Sequence, residues 1–232
     1  FDFRENDVYF SSNAFQPERD RPFVDLMLTR YILNHTYLEC DEEMLANLLY
    51  DSVDAKDLPG MADVDASLLY FCSLEAKHNK VALTGECADE IFGGYPWFYR
   101  DELKNAKTFP WSADLAMRTE LLSAEFIREL NLEEYVRDRY EDSVRRVPRL
   151  YGEPEADARC REITYMNIQW FMQTLLDRMD RASMYSGLEA RVPYADHRIV
   201  EYVFNVPWDM KAKDGKEKSL LRTAFAKRLP EK

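Results

Sequence analysis

Three carboxylates stand close together between a short apolar run and a pair of glycines. The stretch VALTGECADEIFGGY, residues 81–95, places Glu86, Asp89 and Glu90 within five residues of one another. Carboxylates beside a tight turn can hold Mg²⁺ on a phosphate group or act as a general base. The alternative is a solvated helix N-terminus, where the helix dipole favours negative charge. The residue types alone leave both interpretations open.

The elements before this stretch predict an α/β fold. Residues 8–10, 36–38 and 80–84 have the length and the turn-bounded composition of strands. Apolar residues at helical spacing predict helices over residues 41–53 and 64–78. Alternating strands and helices are typical of a parallel sheet, and ligands bind such sheets outside the carboxyl ends of the strands. The three carboxylates therefore belong in a ligand crevice.

The elements after Tyr95 are predicted to be entirely helical. The segments with helical spacing cover residues 112–130, 132–147, 157–186, 196–205 and 218–229. Three of the chain's seven glycines lie at positions 85, 93 and 94. The backbone beside the carboxylates must therefore turn tightly or approach another group closely.

Composition narrows the class of protein. The chain has 232 residues, 46% of them hydrophobic, which is enough for one large domain or two small ones with a core. No apolar run approaches the length of a membrane span and the N-terminus lacks the pattern of a signal peptide, so we expect a cytoplasmic protein. A net charge of -12 argues against a nucleic-acid partner. The four cysteines form no C-x-x-C pair, so ordinary thiols are expected.

Three blocks of the sequence resemble the synthetase domain of asparagine synthetases. LTGECADEIFGGY, residues 83–95, is similar to the family signature S-G-E-G-A-D-E-x-F-G-G-Y. DRASMYSGLEARVPYADH, residues 180–197, resembles D-R-x-S-M-x-x-x-L-E-x-R-V-P-F-L-D-H, and GKEKSLLRTAF, residues 215–225, resembles G-K-x-x-K-x-x-L-R. The resemblance implies an adenine-nucleotide hydrolase-like, Rossmann-like parallel sheet with a large helical part. It also implies that the domain adenylates the side-chain carboxylate of aspartate with ATP and Mg²⁺. Ammonia from glutamine then displaces AMP.

The resemblance assigns roles position by position. Thr84, Gly85 and Glu86 stand where the family has Ser-Gly-Glu and would contact the nucleotide. Glu86 would also accept a proton from the attacking ammonia, which requires a positioned base. Asp89 matches the family aspartate that holds Mg²⁺ on pyrophosphate, and Lys218 matches a lysine that contacts pyrophosphate. Without the motif, Lys218 would be read as an exposed helix lysine.

Residues 177–191, which overlap the middle block, contain further candidates. Arg178 and Arg181 lie three residues apart on a predicted helix, so both can face one cleft and bind phosphate or carboxylate. Arg178 is the preferred ligand contact and a candidate catalytic residue. Glu189 and Arg191 are expected to pair with each other or to cap helices. The aromatic residues at 95–99 are expected in a core or an interface rather than against adenine.

Parts of the family pattern do not occur in this chain. They are the Ser-Gly-Gly-x-Asp-Ser phosphate loop, the glutaminase domain and the C-terminal R-x-K loop. The sequence therefore predicts a single synthetase-domain fragment, α/β over residues 1–95 and mainly helical over 96–232, that is inactive alone. A homodimer is one possible assembly. A non-catalytic binding module, or a relative that adenylates a β-lactam or peptide precursor, remains the alternative.

Overall fold

The computed structural model describes residues 7–13, 21–120 and 122–230. The strands in this part of the chain are β1 (Asp7–Asn13), β2 (Asn34–Cys40), β3 (Val81–Leu83) and β4 (Glu189–Arg191). Its α-helices are α1 (Arg21–Arg30), α2 (Glu42–Asn47), α3 (Leu49–Lys56), α4 (Ala62–Glu75), α5 (Ala88–Phe92), α6 (Asp101–Lys104), α7 (Ala116–Thr119), α8 (Ala124–Leu130), α9 (Leu132–Arg146), α10 (Glu155–Met166), α11 (Met172–Tyr185), α12 (His197–Phe204), α13 (Trp208–Lys211) and α14 (Ser219–Phe225). Short 3₁₀ turns lie at Pro96–Phe98, Pro110–Ser112, Pro193–Ala195 and Lys213–Gly215. The chain is thus mainly helical with a few parallel strands.

The strands pair in parallel, as the sequence predicts. β1 pairs with β2, from Asp7 opposite Asn34 onwards, and β3 pairs with β4, with Val81 opposite Glu189. Within the described residues these are two separate two-stranded sheets. The expectation that only helices follow Tyr95 is wrong at β4. A three-residue strand with charged ends carries no alternation signal, and its pairing depends on a partner far away in the sequence.

The predicted helices are mostly confirmed, with three corrections. The single helix expected over residues 41–53 is divided at Leu48 into α2 and α3. The continuous helix expected over residues 112–130 is wrong, because a bend separates α7 from α8. Ser123 accepts a hydrogen bond from the backbone N–H of Phe126 at 3.2 Å and so begins α8 as its N-cap. The long helix expected over 157–186 is present, but residues Asn167–Phe171 form a π-helical segment within it.

The chain forms two compact units. Unit 1 comprises the described residues of 1–84, 175–193 and 224–232, and unit 2 comprises those of 85–174 and 194–223. The division into an α/β part up to residue 95 and a helical part beyond it stays a prediction. All four cysteines are buried free thiols, as expected. None of the helices in the described part of the chain has the length and apolar character needed to cross a membrane.

The core of unit 1 joins α4 and α11 to the strand pair. Cys72, Met179, Ala182 and Leu188 are buried together. At the edge of this core, Arg181 bonds to the carboxylate of Asp57 at 2.6 Å. These contacts anchor the strand pair that leads directly into the carboxylate loop.

The core of unit 2 is rich in aromatic rings. Its buried residues are Phe98, Phe109, Tyr140, Ile163 and Met166. On α10, Arg161 forms an ion pair with Glu153 at 2.8 Å, in which the side chains are only 6% and 10% exposed. The pair is thus almost completely removed from water, which makes each charge dependent on the other.

We expect Glu153→Gln to destabilise unit 2 strongly. The substitution keeps the size of the side chain but leaves the Arg161 guanidinium buried without its counter-charge, which costs about 3–5 kcal/mol. Glu134→Gln is the matched control, because its pair with Arg137 is exposed and is worth less than about 1 kcal/mol. Urea unfolding measures both, and equal effects of the two substitutions would contradict the structural role of the buried pair.

Candidate functional site

The carboxylate loop begins where β3 ends. The backbone N–H of Thr84 donates to the carbonyl of Arg191 at 2.9 Å and so extends the β3–β4 ladder by one residue. The Thr84 hydroxyl is shielded from solvent and has no hydrogen-bond partner among the described residues. Gly85 is exposed, and a Cβ atom built there would meet no atom within 4 Å. This stretch of backbone is therefore open to approach by a ligand.

The turn into α5 uses an unusual backbone conformation. Cys87, the N-cap of α5, has a φ of 71°, in the left-handed region that non-glycine residues rarely adopt. Its thiol is 1% exposed. Burial, with smaller effects from Glu90 and Glu86, raises the pKa of Cys87 to about 12. The thiol is therefore protonated at neutral pH and is not a nucleophile.

The two glycines that end α5 have no room for a side chain. Gly93 has a φ of +72°, and a Cβ atom there would lie 2.5 Å from the ring of Trp208. A Cβ atom on Gly94 would overlap the carboxylate of Asp89. The hydroxyl of Tyr99 donates to the carbonyl of Gly93 at 2.6 Å. The turn is consequently packed from both sides, and its tightness places the Asp89 side chain.

Asp89 and Lys218 come together in unit 2. Lys218 Nζ lies 2.8 Å from Asp89 Oδ1, and the side chains are 26% and 37% exposed. Lys218 has a φ of 51° and directly precedes α14, so it is not an ordinary residue of an exposed helix face. A left-handed non-glycine residue costs of order 1–3 kcal/mol, and such residues cluster at functional sites. The two predicted pyrophosphate-site residues are thus direct neighbours.

Glu90 differs from the other carboxylates of the loop because it is buried. Its side chain is 1% exposed, and its Oε1 accepts a 2.5 Å hydrogen bond from the hydroxyl of Tyr95. Burial raises the pKa of Glu90. The Tyr95 ring stacks on Trp97 with centroids 4.3 Å apart. The interpretation of the whole cluster as a solvated helix terminus is therefore wrong for Glu90, which fixes α5 to the aromatic core.

Glu86 begins the loop one residue after Gly85. Its side chain is half-buried. The Glu86 charge contributes to the raised pKa of Cys87, so it lies close to the helix entrance. A carboxylate at the start of a strand-to-helix turn can exchange a proton with a ligand that lies within hydrogen-bond reach.

Arg178 belongs to unit 1, on α11. Arg178 and Arg181 line the same small cavity, as their three-residue spacing predicts, and Lys56 and Asp65 line it with them. Asp65 is 6% exposed, and its Oδ1 has no hydrogen-bond partner in the described part of the chain. Arg181 is engaged by Asp57 and Asp177, and Lys56 by Asp65, so the cavity holds charges of both signs.

The remaining sequence candidates have structural roles. Arg191 contacts Glu189 at 2.8 Å, and both side chains are more than half exposed, which agrees with the expected pairing. The aromatic residues of 95–99 pack against the core of unit 2, where Phe98 is buried and stacks on Trp208. This agrees with the prediction of a core position.

The donor set fits a magnesium ion that is shared with a nucleotide. Across residues 7–13, 21–120 and 122–230 no group of three or more His, Cys, Asp or Glu side chains is placed to hold a metal. Mg²⁺ commonly uses one or two carboxylates together with substrate phosphates and water. Asp89 alone can supply such a carboxylate, and Lys218 beside it can contact a phosphate as a point charge.

Two features of the site were not predicted from the sequence. The first is the buried Glu90–Tyr95 hydrogen bond, for which the neighbouring apolar Ile91 and Phe92 were a usable signal. The second is the left-handed backbone of Cys87 and Lys218. Nothing in the residue types indicates it, because neither is Gly, Asn or Asp.

Sequence comparison with known proteins identifies relatives of this chain. The asparagine synthase family model matches residues 4–232. Over 230 residues the chain is 47% identical to glutamine-hydrolyzing asparagine synthetase 3 of Bacillus subtilis strain 168, covering 99% of this chain and 37% of that protein. It is 31% identical over 202 residues to asparagine synthetase 1 of the same organism, covering 74% of this chain and 32% of that protein. Similarity to amidase chry2 of Gibberella zeae is weaker, at 27% over 244 residues, covering 81% of this chain and 36% of that protein.

These matches, together with the order of the motifs and the Asp89–Lys218 contact, define the class of the protein. The chain belongs to the asparagine synthase family. It spans about a third of the length of the curated relatives it matches.

We expect Gly93→Ala to destabilise unit 2 more than Gly152→Ala does. Both glycines have a left-handed backbone, with φ of +72° and +73°, so each alanine adds strain of roughly 1–2 kcal/mol. Only Gly93 lies against a neighbouring ring, and the overlap with Trp208 adds about 1–3 kcal/mol. Chemical unfolding of the two variants measures the difference. Equal losses of stability would show that the Trp208 contact does not constrain the turn.

Proposed function

We propose that the intact protein is an ATP-dependent, AMP-forming amide ligase that converts aspartate to asparagine, with glutamine as the source of ammonia. The observation that carries this proposal is the 2.8 Å contact between Asp89 and Lys218 beside an open loop at the carboxyl end of β3. This is the edge at which α/β proteins bind ligands. Family membership supports the same activity. A Rossmann-like nucleotide fold for the intact domain is part of the proposal.

The nucleotide would be held by the loop that follows β3. Thr84 offers a shielded hydroxyl without a protein partner, and Gly85 offers accessible backbone. Asp89 would supply a carboxylate to Mg²⁺, whose chemistry there is to offset the charge of the pyrophosphate leaving group. Lys218 would contact the same phosphates. In the absence of ligand these two charges satisfy each other.

Glu86 would act at the second step of the reaction. Once the side-chain carboxylate of aspartate is adenylated, the ammonia nitrogen forms a bond to the acyl carbon and the bond to AMP breaks. The attacking nitrogen must then lose a proton, and a carboxylate within hydrogen-bond reach can accept it. The half-buried Glu86, at the entrance to α5, is suited to this role. Glu90 is engaged by Tyr95 and is assigned no chemical step.

Arg178 is proposed as a further ligand contact and catalytic residue. Its side chain lines the cavity on α11 together with Lys56, Asp65 and Arg181. A guanidinium group in such a setting can bind a phosphate or carboxylate through two parallel hydrogen bonds. Arg178→Lys retains the charge and loses that geometry.

The second candidate function keeps the adenylation chemistry and changes the carboxylate that accepts the nucleotide. Similarity to amidase chry2 supports this candidate, because that relative is named as an amidase rather than as an asparagine synthetase. Measuring AMP release with aspartate, glutamate and peptide carboxylates separates the two candidates. Aspartate-dependent release supports asparagine synthesis.

We expect Asp89→Asn to abolish most adenylation without unfolding the protein. The amide cannot supply the anionic ligand that Mg²⁺ prefers, whereas the partly exposed pair with Lys218 contributes less than about 1 kcal/mol to stability. Aspartate-dependent exchange of pyrophosphate into ATP measures the effect. Asp209→Asn, an exposed acid of α13, is the control and retains full exchange. Unchanged exchange in Asp89→Asn would remove Asp89 from the metal site.

We expect Glu86→Gln to separate the two half-reactions. Glutamine preserves the size of the side chain but cannot accept a proton, and loss of a general base lowers the rate by about 10²–10⁴. Pyrophosphate exchange therefore continues while asparagine formation collapses. Equal loss of both activities would show that Glu86 binds the nucleotide or the metal. Retention of both would show that it takes no part in the reaction.

A further inference from the structure

Lys211 is a buried lysine without a counter-ion in unit 2. It ends α13, and its side chain is 3% exposed. Within the described residues its ammonium group makes no hydrogen bond or ion pair. Most of the Lys211 side chain is thus removed from water, which is unfavourable for an ammonium group without a counter-ion. The next lysine along the chain, Lys213, is exposed, so water can solvate its ammonium group.

A small cavity lies against this lysine. It offers about 20 Å³ to the centre of a water-sized sphere. That is room for one water molecule or for an ion of similar size. Arg161 lines the same cavity, as do Asp157, Cys160 and Glu153. Two buried cations, Lys211 and Arg161, therefore face one internal space.

The carboxylates that line the cavity do not neutralise Lys211. Glu153 is bound by the Nε and Nη2 atoms of Arg161 at 2.8 Å. Burial, followed by the positive charge of Arg161, lowers the pKa of Lys211 to about 8, with an opposing effect of Cys160. A third cation, Lys104 of α6, lies close to the thiol of Cys160, which precedes Arg161 on α10.

We propose that Lys211 and Arg161 bind a small inorganic monoanion, of about the size of chloride, in this cavity. At pH 7 the Lys211 ammonium is charged, because its pKa is still above that pH, and it makes no ion pair with the described residues. Arg161 has donor capacity left, since its Nη1 makes only a long 3.4 Å contact with the carbonyl of Phe204. An anion between the two groups compensates a charge that the protein itself leaves unmatched.

Anion binding is expected to change how the stability of the folded protein depends on pH. The folded-state pKa of Lys211 lies below its value of about 10.4 in the unfolded chain. Between pH 8 and 10 the unfolded chain binds a proton that the folded chain does not, so stability contributed by this group rises with pH. A bound anion raises the folded-state pKa. Saturating anion therefore flattens this rise.

Thermal unfolding of the wild-type protein, Lys211→Met and Lys213→Met tests the site. Chloride is exchanged for gluconate, which is too large for the cavity, at pH 7 and constant ionic strength. We expect the Tm of the wild type and of Lys213→Met to rise by roughly 3–5 °C for each tenfold increase in chloride above half-saturation. Lys211→Met, which has no buried charge to compensate, shows no chloride dependence and has the higher Tm in gluconate.

Two results would overturn the proposal. One is the same chloride dependence in Lys211→Met as in the wild type, which would indicate ions on the surface only. The other is no chloride dependence in any of the three proteins. If Lys211→Met does not fold, anomalous scattering from wild-type crystals soaked in bromide decides the matter. A bromide peak between Lys211 and Arg161 supports the site, and a water molecule at that position refutes it.

Discussion

The turn at Gly93 and Gly94 is the constraint on which the candidate site depends. The Trp208 ring occupies the space where a side chain of Gly93 would lie, and the Asp89 carboxylate occupies the corresponding space at Gly94. The left-handed backbone of Gly93 ends α5 after five residues. Gly94 then packs against the Asp89 side chain, which lies 2.8 Å from Lys218.

The three carboxylates of the loop have different environments, and the difference is physical. Asp89 is partly exposed and faces a cation, whereas Glu90 is buried and accepts a hydrogen bond from Tyr95. Glu86 is half-buried at the start of the turn. Closeness in the sequence therefore does not mean that the three carboxylates have the same role. Of the three, only Glu90 is buried and holds α5 against the aromatic core.

The sequence predicted the features that local patterns determine. The strands β1, β2 and β3 follow from their length and flanking turn residues, and most helices follow from hydrophobic spacing. The resemblance to the family predicted that Asp89 and Lys218 belong to one site. The sequence did not predict β4, because a three-residue strand is stabilised by its distant partner rather than by its own residues. It also missed the burial of Glu90, since charged side chains are seldom buried unless a partner such as Tyr95 is available.

Transfer of oxygen from substrate to product tests the central claim most directly, namely that the open loop beside Asp89 and Lys218 serves adenylation of a carboxylate. Aspartate labelled with ¹⁸O in its side-chain carboxylate is incubated with the intact protein, ATP, Mg²⁺ and ammonia, and the AMP is analysed by mass spectrometry. The account predicts one ¹⁸O atom in each AMP formed, because the bond between carboxylate oxygen and phosphorus survives when ammonia attacks the acyl carbon. Release of ADP with ¹⁸O in inorganic phosphate, or of unlabelled AMP, would contradict it.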